Sequence, residues 1–319
     1  MNNKLSLGID TSNYKTSVAV VDSDGNIIKN YQQFLEVKKG ERGLRQSTAL
    51  FQHITNLPGI MDKVLADEQI RRRIECVSVS DKPRPCEGSY MPVFNSGVST
   101  ARIMASTLGV PLYTFSHQEG HIEAIRYYSK MKDKTKLICF HFSGGTTEAL
   151  LVDNKNIEII GGTKDISYGQ VLDRIGVALG MEFPCGQEMD IMACKSSIPA
   201  NAKLFTPVKV KDCYVNLSGV ETQGQRGVGT VLSEELIISL FNVLAKSIVT
   251  MVEQIYEKYQ ISDFLFAGGV SSSEYFRKYI KNALGVSLGD KCSLEFGKPE
   301  LSTDNAVGVA LLGGKNIWL

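Results

Sequence analysis

The first 34 residues alternate short apolar runs with polar turns. Apolar runs cover Leu5 to Asp10, Thr16 to Asp22 and Ile27 to Phe34, and the turn-forming segment Ser23 to Asn26 separates the last two. Runs of this length, bounded by Gly, Asn and Asp, are typical of β-strands joined by tight turns. The pattern therefore predicts a three-stranded meander at the start of the chain.

The hydrophobic spacing then changes to that of helices separated by single strands. Gly43 to Gln69 has helical spacing, and Pro58 predicts a break in it because proline lacks the amide hydrogen that an inner helical position needs. Cys76 to Ser80 has the pattern of a buried strand, and Gly97 to Leu108 that of a helix leading into a strand near Leu112. The predicted order to this point is βββαβαβ.

The same order restarts near Leu137. The segments LGIDTSNYKTSVAVVDSDGNII and CFHFSGGTTEALLVDNKNIEII share one pattern: an apolar strand, a small polar loop, a strand ending in Asp, a short turn and an isoleucine-rich strand. The remaining elements are predicted as helices near Gln170 to Gly180 and Ser233 to Tyr259, a strand Phe264 to Phe266, a helix from Ser273, and a last helix from near Thr303 with Asp304 in its first turn.

Two copies of a βββαβα unit predict an α/β protein with the duplicated plan of the actin-like fold. We place the domain boundary near residue 115, so that residues 1–115 and 116–319 form two domains flanking a central cleft. The last helix, about residues 303–315, is expected to pack back toward that cleft.

Composition narrows the class of protein. With 319 residues, 43% hydrophobic and 22% charged, the chain has ordinary globular composition, which excludes a disordered or fibrous protein. A net charge of +1 gives no overall basic field for nucleic-acid binding. Seven cysteines without a C-x-x-C pair favour neither a disulfide framework nor a zinc ribbon. No apolar run approaches the roughly 18 to 20 residues of a membrane span, so we expect a cytoplasmic protein.

A pair of histidines provides the first chemical signal. Two of the four histidines lie in His117-Gln118-Glu119-Gly120-His121. On a helix, positions i and i+4 lie on one face, about 5 to 6 Å apart at Cβ, so both imidazoles can bind one metal ion. The third ligand must come from elsewhere in the chain. His53 and His141 each stand alone in an apolar stretch, which predicts a structural or second-sphere role.

Three small-residue loops follow predicted strands. They are Asp10 to Thr16, Ser143 to Thr147 and Ala267 to Ser273. Glycines in such loops let the backbone approach an anion, and hydroxyl and amide groups can donate hydrogen bonds to it. We therefore predict that a purine nucleotide binds in the cleft between the two repeats.

Several motifs together resemble one family over essentially the whole chain. They are Gly8-Ile9-Asp10-Thr11-Ser12, His117-Gln118-Glu119-Gly120-His121, Ser143-Gly144-Gly145, Gly169-Gln170-Val171-Leu172-Asp173, Ser218-Gly219, Gly268-Gly269-Val270 and Thr303-Asp304-Asn305. In order and spacing they resemble the glycoprotease-like Gcp/TsaD family. The resemblance implies an actin-like ATPase fold (ASKHA, ribonuclease H-like) and a divalent metal such as iron, zinc or magnesium. It also implies transfer of threonylcarbamoyl from its adenylate to the exocyclic amine of a tRNA adenosine.

The resemblance assigns roles to individual positions. The metal ligands would be His117, His121 and Asp304. ATP, ADP, AMP or an acyl-adenylate would contact Ser12, Ser143, Gly144, Gly145, Asp173, Gly186, Gly268, Gly269 and Ser273. Access to tRNA would come through partner proteins. We also expect a homodimer, or a heterodimer with a related subunit.

The first loop departs from the family pattern. Where the family has S-C-D-E-T, this chain has Ser12-Asn13-Tyr14-Lys15-Thr16, which replaces an acidic pair with a phenol and a cation. We predict that Tyr14 and Lys15 occupy catalytic positions and that Lys15 faces phosphates or a carboxylate of the ligand. Lysine donates at neutral pH rather than accepting a proton, so the acceptor chemistry is expected to differ. At the position of the family's S-G-L-K-T motif, this chain carries Glu221 in place of the lysine. We therefore expect a diverged paralogue of the family.

Three functions remain open from the sequence. The first is a metal-dependent carbamoyl- or threonylcarbamoyl-type transferase. The second is a small-molecule kinase or ATPase of the same fold, which needs a catalytic carboxylate such as Asp165 or Asp173. The third is a non-catalytic partner or regulatory subunit of a tRNA-modification complex. A peptidase has little support because the histidine pair lacks the H-E-x-x-H arrangement.

Overall fold

The computed structural model describes residues 3–12, 14–37, 44–154 and 156–318. It contains two compact units. Among the described residues, the first unit comprises 3–37, 44–127 and 300–318, and the second comprises 128–299. The division falls after residue 127, later than the boundary near residue 115 that the sequence suggests, and the C-terminal segment belongs to the first unit. The division into domains 1–115 and 116–319 stays a prediction.

The first unit is built on a five-stranded sheet. Its elements are β1 (Leu5–Asp10), β2 (Lys15–Asp22), β3 (Ile27–Phe34), α1 (Gln46–Val64), α2 (Glu68–Arg73), β4 (Ile74–Lys82), α3 (Phe94–Leu108), β5 (Leu112–Ser116), α4 (His117–Tyr127), and, after α10 (Pro299–Ser302), α11 (Val307–Lys315). The strand order is β3-β2-β1-β4-β5, with β1 antiparallel to β2 and parallel to β4. β1 is buried along its whole length because it is the central strand, with helices packed against the sheet.

Two glycines bring α11 close to its neighbours in this unit. A Cβ on Gly8 of β1 would lie 2.4 Å from the carbonyl oxygen of Ala306, directly before α11. A Cβ on Gly308 would lie 1.8 Å from the carbonyl oxygen of Gly120 in α4. Only glycine permits backbones to approach this closely. The start of α11 is therefore held against both β1 and α4.

The second unit repeats the same sheet plan. Its elements are β6 (Lys136–Phe142), β7 (Thr147–Asp153), β8 (Asn156–Thr163), α5 (Tyr168–Ala178), α6 (Gly186–Lys195), β9 (Tyr214–Val215), α7 (Ser218–Gly227), α8 (Ser233–Tyr259), β10 (Asp263–Ala267), α9 (Glu274–Ser287) and β11 (Ser293–Phe296). The order is β11-β10-β6-β7-β8-β9, so β6, β7, β8, β10 and β11 repeat the arrangement of β1 to β5. The predicted duplication of a βββαβα unit is confirmed, with β9 added at one edge.

Helix α8 is the core helix of the second unit. Within the described part of the chain, it has the length and apolar composition of a membrane-crossing helix, which the sequence analysis missed. Its apolar positions are buried against the sheet and α9, including Phe241, Leu244, Ile248 and Val252. Burial of this kind is that of a core helix in a globular domain.

Helix α1 continues through Pro58, so the predicted break is wrong. Its buried positions include Ala49, His53, Leu57 and Ile60, a helical stripe that extends across the proline. Proline removes one backbone hydrogen bond from the helix. Packing of the apolar stripe on both sides of Pro58 outweighs that loss.

Candidate metal centre and ligand loops

The histidine pair lies at the start of α4, directly after β5. His117 is the first residue of the helix, and His121 follows one turn later. Their ring centroids are 4.3 Å apart and their Nε2 atoms are 2.9 Å apart. The i, i+4 spacing thus places both imidazoles on one helical face, as the sequence predicts.

Asp304 reaches the same place from a loop. The sequence placed it in the first turn of the last helix, but that helix begins at Val307, so this prediction is wrong. The side chain of Asn305 accepts a hydrogen bond from the Val307 amide and donates to the carbonyl oxygens of Leu301 and Thr303. Asparagine side chains compete for backbone groups in this way and favour loops over helix. The loop aims the Asp304 carboxylate at α4.

The three predicted ligands converge. Asp304 Oδ1 lies 3.3 Å from His121 Nε2 and 3.5 Å from His117 Nε2. One ligand atom from each residue lies within 4.8 Å of the other two. Two imidazoles and one carboxylate suit zinc or ferrous iron and leave coordination positions for substrate or water. These residues therefore fit a divalent metal ion, and all three belong to the first unit.

A buried carboxylate orients His117. Asp10 Oδ1 lies 3.0 Å from His117 Nδ1 and also accepts a hydrogen bond from Ser80, while Ser12 donates to Asp10 Oδ2 at 2.8 Å. Metal-binding histidines commonly donate their second ring nitrogen to such a carboxylate, which fixes the ring and directs the other nitrogen to the metal. Asp10 thus directs His117 Nε2 toward His121 and Asp304.

The surrounding groups shift the pKa values of the three ligands in different directions. Burial acts to lower the pKa of His117, but the charges and hydrogen bonds of Asp10 and Asp304 raise it to about 10. Burial, and then the charge of His117, lowers the pKa of His121. Burial acts to raise the pKa of Asp304, whereas both imidazoles hold it well below its usual range. The two carboxylates thus favour the protonated form of His117 over that of His121, and a bound metal ion would take the place of the His117 Nε2 proton.

Lys15 of β2 lies beside this cluster. Lys15 is 6% exposed, and its Nζ donates to Gln32 Oε1 at 2.9 Å and to Thr303 Oγ1 at 2.7 Å. Nζ also lies 4.5 Å from the centre of the Phe34 ring. Burial lowers the pKa of Lys15, and the charge of Asp304 opposes that shift. Tyr14, the other predicted catalytic residue, lies directly before β2, and its carbonyl oxygen accepts from the Leu35 amide.

The other two histidines are buried in the interiors of the two units. His53 is fully buried on α1, and its Nδ1 lies 2.8 Å from Thr16 Oγ1 of β2. His141 is buried on β6, where it faces Glu148 in the antiparallel register with β7. Their predicted structural or second-sphere roles stay predictions.

In the second unit, two of the predicted ligand loops lie next to each other at one end of the sheet. β6 and β10 are parallel neighbours, so the loops after Phe142 and after Ala267 leave the same end of the sheet. Gly268 has φ +90°, and a Cβ there would lie 2.3 Å from the carbonyl oxygen of Phe142. By contrast, a Cβ on Gly144 or Gly145 would meet no described atom within 4 Å. The side-chain positions of Gly144 and Gly145 are therefore open, while the Gly144 carbonyl oxygen accepts a hydrogen bond from Ser167 Oγ. Gly268, in contrast, is required by packing.

Gly186 and Ser273 lie at helix starts of this unit, and Asp173 lies inside α5. Asp173 of α5 accepts a hydrogen bond from the Cys185 amide at 2.8 Å, next to Gly186 at the start of α6. Burial raises the pKa of Asp173 to about 6, against the effect of the Cys185 and Gly186 amides. Ser273 caps α9 by accepting from the Phe276 amide at 3.1 Å.

Asp190 of α6 is a residue that the sequence analysis missed. Its carboxylate accepts from Ser273 Oγ at 2.5 Å and from the amides of Glu274 and Tyr275 at the start of α9. A carboxylate is favourable at a helix N-terminus because the exposed amides and the dipole are positive there. Nothing in the local sequence indicates the contact, because the partners are 83 to 85 positions away.

Asp165 has a comparable structural role. Its carboxylate accepts from the amides of Leu217 and Ser218, where α7 begins. Both candidates for the catalytic carboxylate of a kinase, Asp165 and Asp173, thus already bind helix starts within the second unit.

A family model decides the relationship. The model described as TsaD, tRNA N6-adenosine threonylcarbamoyltransferase, matches residues 26–311. The chain belongs to the TsaD family. The resemblance inferred from the motifs is thereby confirmed.

Curated TsaD relatives cover nearly the whole chain at low identity. The tRNA N6-adenosine threonylcarbamoyltransferase of Neorickettsia sennetsu is 26% identical over 97% of this chain and 93% of its own length. That of Thermosipho melanesiensis is 27% identical over 97% of this chain and 94% of its own. About three quarters of the positions therefore differ from these TsaD relatives.

Solved structures confirm the predicted actin-like fold. HypF of T. kodakarensis aligns with a TM-score of 0.63 at 14% identity, over 99% of this chain and 48% of that chain. Component A of the Acidaminococcus fermentans (R)-2-hydroxyglutaryl-CoA dehydratase aligns with a TM-score of 0.59 at 12% identity, over 98% of both chains. At these identities the likeness concerns the fold alone.

Glu221, the second residue that differs in charge from the TsaD pattern, forms an ion pair with an arginine of this chain. Glu221 of α7 accepts a hydrogen bond from Arg174 of α5 at 3.0 Å. The acidic residue that replaces the TsaD lysine is therefore matched by a nearby arginine. Its charge is at least partly neutralised within the second unit.

Proposed function

We propose that this TsaD-family chain is a metal-dependent transferase that moves a threonylcarbamoyl-type group from its adenylate to a tRNA adenosine. The observation that carries the proposal is the convergence of His117, His121 and Asp304 in a chain of this family. The relatives that carry the TsaD name are tRNA N6-adenosine threonylcarbamoyltransferases, which supports tRNA as the acceptor.

The protein would hold the metal through the two Nε2 atoms and Asp304. Zinc or iron bound there would act as a Lewis acid on an acyl or phosphate oxygen, whereas magnesium, which prefers oxygen ligands, fits the two imidazoles less well. Asp10 keeps His117 in the tautomer that offers Nε2, and Asn305 fixes the loop that carries Asp304. These side chains are preorganised, so little reorganisation would accompany metal binding.

The adenylate, or ATP, ADP or AMP, would bind on the second unit. The open backbone at Gly144 and Gly145 supports an approach of phosphate, because added side-chain atoms would meet nothing there. Asp190 binds Ser273 and the Glu274 amide at the start of α9, and this would hold the loop after β10 in place for the ligand. Gly268, Gly269, Asp173 and Gly186 would shape this surface.

The alternatives find less support. A kinase would need a free catalytic carboxylate, but both candidates, Asp165 and Asp173, already accept hydrogen bonds at helix starts. A non-catalytic subunit would not require three converging metal ligands. We further propose a cytoplasmic location, partner proteins that present the tRNA, and a homodimer or a heterodimer with a related subunit.

The test supplies threonylcarbamoyl-adenylate, tRNA and the usual partner proteins, and measures modified adenosine by mass spectrometry. We expect metal-dependent product at a turnover clearly below that of the Thermosipho melanesiensis relative. The reason is that Lys15 cannot accept a proton at neutral pH, whereas a carboxylate at this position could. No product under conditions in which that relative is active would overturn the transferase proposal. Equal turnover would overturn the effect assigned to Lys15.

A further inference from the structure

Strand β2 is joined to the segment that carries Asp304 at two points. Lys15 Nζ donates to Thr303 Oγ1 at 2.7 Å, and Ser17 Oγ lies 3.5 Å from the carbonyl oxygen of Asp304. The first contact is a charge-assisted hydrogen bond in a nearly buried position, where such bonds are strong. The backbone of the ligand-bearing loop is thus fixed from the sheet.

Lys15 is itself held in place by the protein. Two of the three hydrogens of its ammonium group are directed to Gln32 and Thr303, and the Phe34 ring lies beside it. A lysine with this set of partners has lost most of the rotamer freedom that a ligand-binding lysine retains. Its contacts point to the loop of the metal centre.

We propose that Lys15 is a positioning residue of the metal centre, which holds Thr303 and thereby aims the Asp304 carboxylate at the two histidines. The lysine that replaces the family's acidic residue would then position the loop that carries the metal ligand Asp304. This inference rests on the metal site of the proposed function and adds a residue that no family pattern supplies.

The proposal predicts a loss of metal affinity when either partner of the contact is removed. Thr303→Val deletes the acceptor and keeps the shape, and Lys15→Met deletes the ammonium and keeps most of the stem. Removing a residue that orients a metal ligand typically costs ten- to a hundredfold in affinity, so each variant should bind zinc about tenfold more weakly. The double variant should be no weaker than the weaker single variant, because both remove one interaction.

The measurement is zinc affinity of the full chain by chelator competition, at a temperature at which every variant is folded by circular dichroism. Lys63→Met, an exposed lysine of the same unit, is the matched control and should bind zinc as the wild type does. If Lys15 acts only through its charge, Lys15→Met should tighten zinc binding, since a cation near a carboxylate ligand has been removed; this would overturn the proposal. Additive losses, or a lower melting temperature with unchanged affinity, would overturn it as well.

A metal-free crystal structure of Thr303→Val separates this inference from the proposed metal site. We expect the Asp304 carboxylate to lie about 1 Å or more from its place beside His121, a shift large enough to affect ligand geometry. An unmoved carboxylate would overturn the positioning role even if the wild type binds no metal. A wild type that binds no metal would instead contradict the proposed function.

Discussion

The two candidate binding regions differ in the groups that form them. In the first unit, side chains converge on one point, and Asp10, Asn305 and Lys15 fix the ligands or their loop through buried hydrogen bonds. In the second unit, the candidate surface consists of open backbone, and its carboxylates bind helix starts. The first region should therefore be sensitive to deletion of side chains, and the second to added bulk.

The largest effect is expected from deletion of the histidine pair. His117→Ala combined with His121→Ala removes two of three ligands, so the purified protein should lose stoichiometric metal. Metal content by mass spectrometry measures the loss, with His141→Gln in the second unit as the control that keeps metal. A full metal equivalent in the double variant would place the site elsewhere.

Removal of the supporting carboxylate should have an intermediate effect. Asp10→Asn leaves the ligands but weakens the orientation of His117, so zinc affinity should fall ten- to a hundredfold while saturation still reaches one equivalent. Asp22→Asn, a buried aspartate at the end of β2 that bonds Asn26, is the matched control. Unchanged affinity in Asp10→Asn would show that the site does not depend on its buried support.

Bulk in the second unit should affect nucleotide binding without loss of the fold. Gly145→Val adds atoms where a Cβ meets none of the described atoms, so the melting temperature should hold while affinity for AMP falls at least about tenfold. Isothermal titration checks the affinity, and Gly285→Val, another glycine with open surroundings in that unit, is the control. Normal AMP binding by Gly145→Val would remove this loop from the candidate surface.

The smallest effect is expected at the charge departure in α7. Glu221→Lys places a cation beside Arg174, and for a partly exposed pair the loss of unfolding free energy should be about 1 kcal/mol or less. Metal and AMP affinity should not change. The exchanged pair Arg174→Glu with Glu221→Arg should recover the stability seen by thermal denaturation. A change in AMP affinity would show that Glu221 belongs to the ligand surface.

The sequence predicts what is local in the chain. Strands such as Leu5–Asp10 and Ile27–Phe34 have the predicted bounds because their apolar runs end in turn residues. The histidine pair is local as well, since its geometry depends on one helical turn. The repeated strand pattern was sufficient to predict the fold class.

Long-range contacts account for what the sequence analysis missed. Pro58 lies inside a helix because buried neighbours on both sides hold it, and Asp304 lies in a loop because the Asn305 side chain binds three backbone groups. The roles of Asp10 and Asp190 depend on partners that are 107 and at least 83 positions away. Spacing rules carry no information on such partners.

Anomalous X-ray scattering from a zinc- or iron-loaded crystal tests the metal centre most directly. The account predicts one strong peak in the first unit, within bonding distance of His117 Nε2, His121 Nε2 and an oxygen of Asp304. A loaded crystal without a peak at these three atoms, or with its metal bound by other residues, would contradict it.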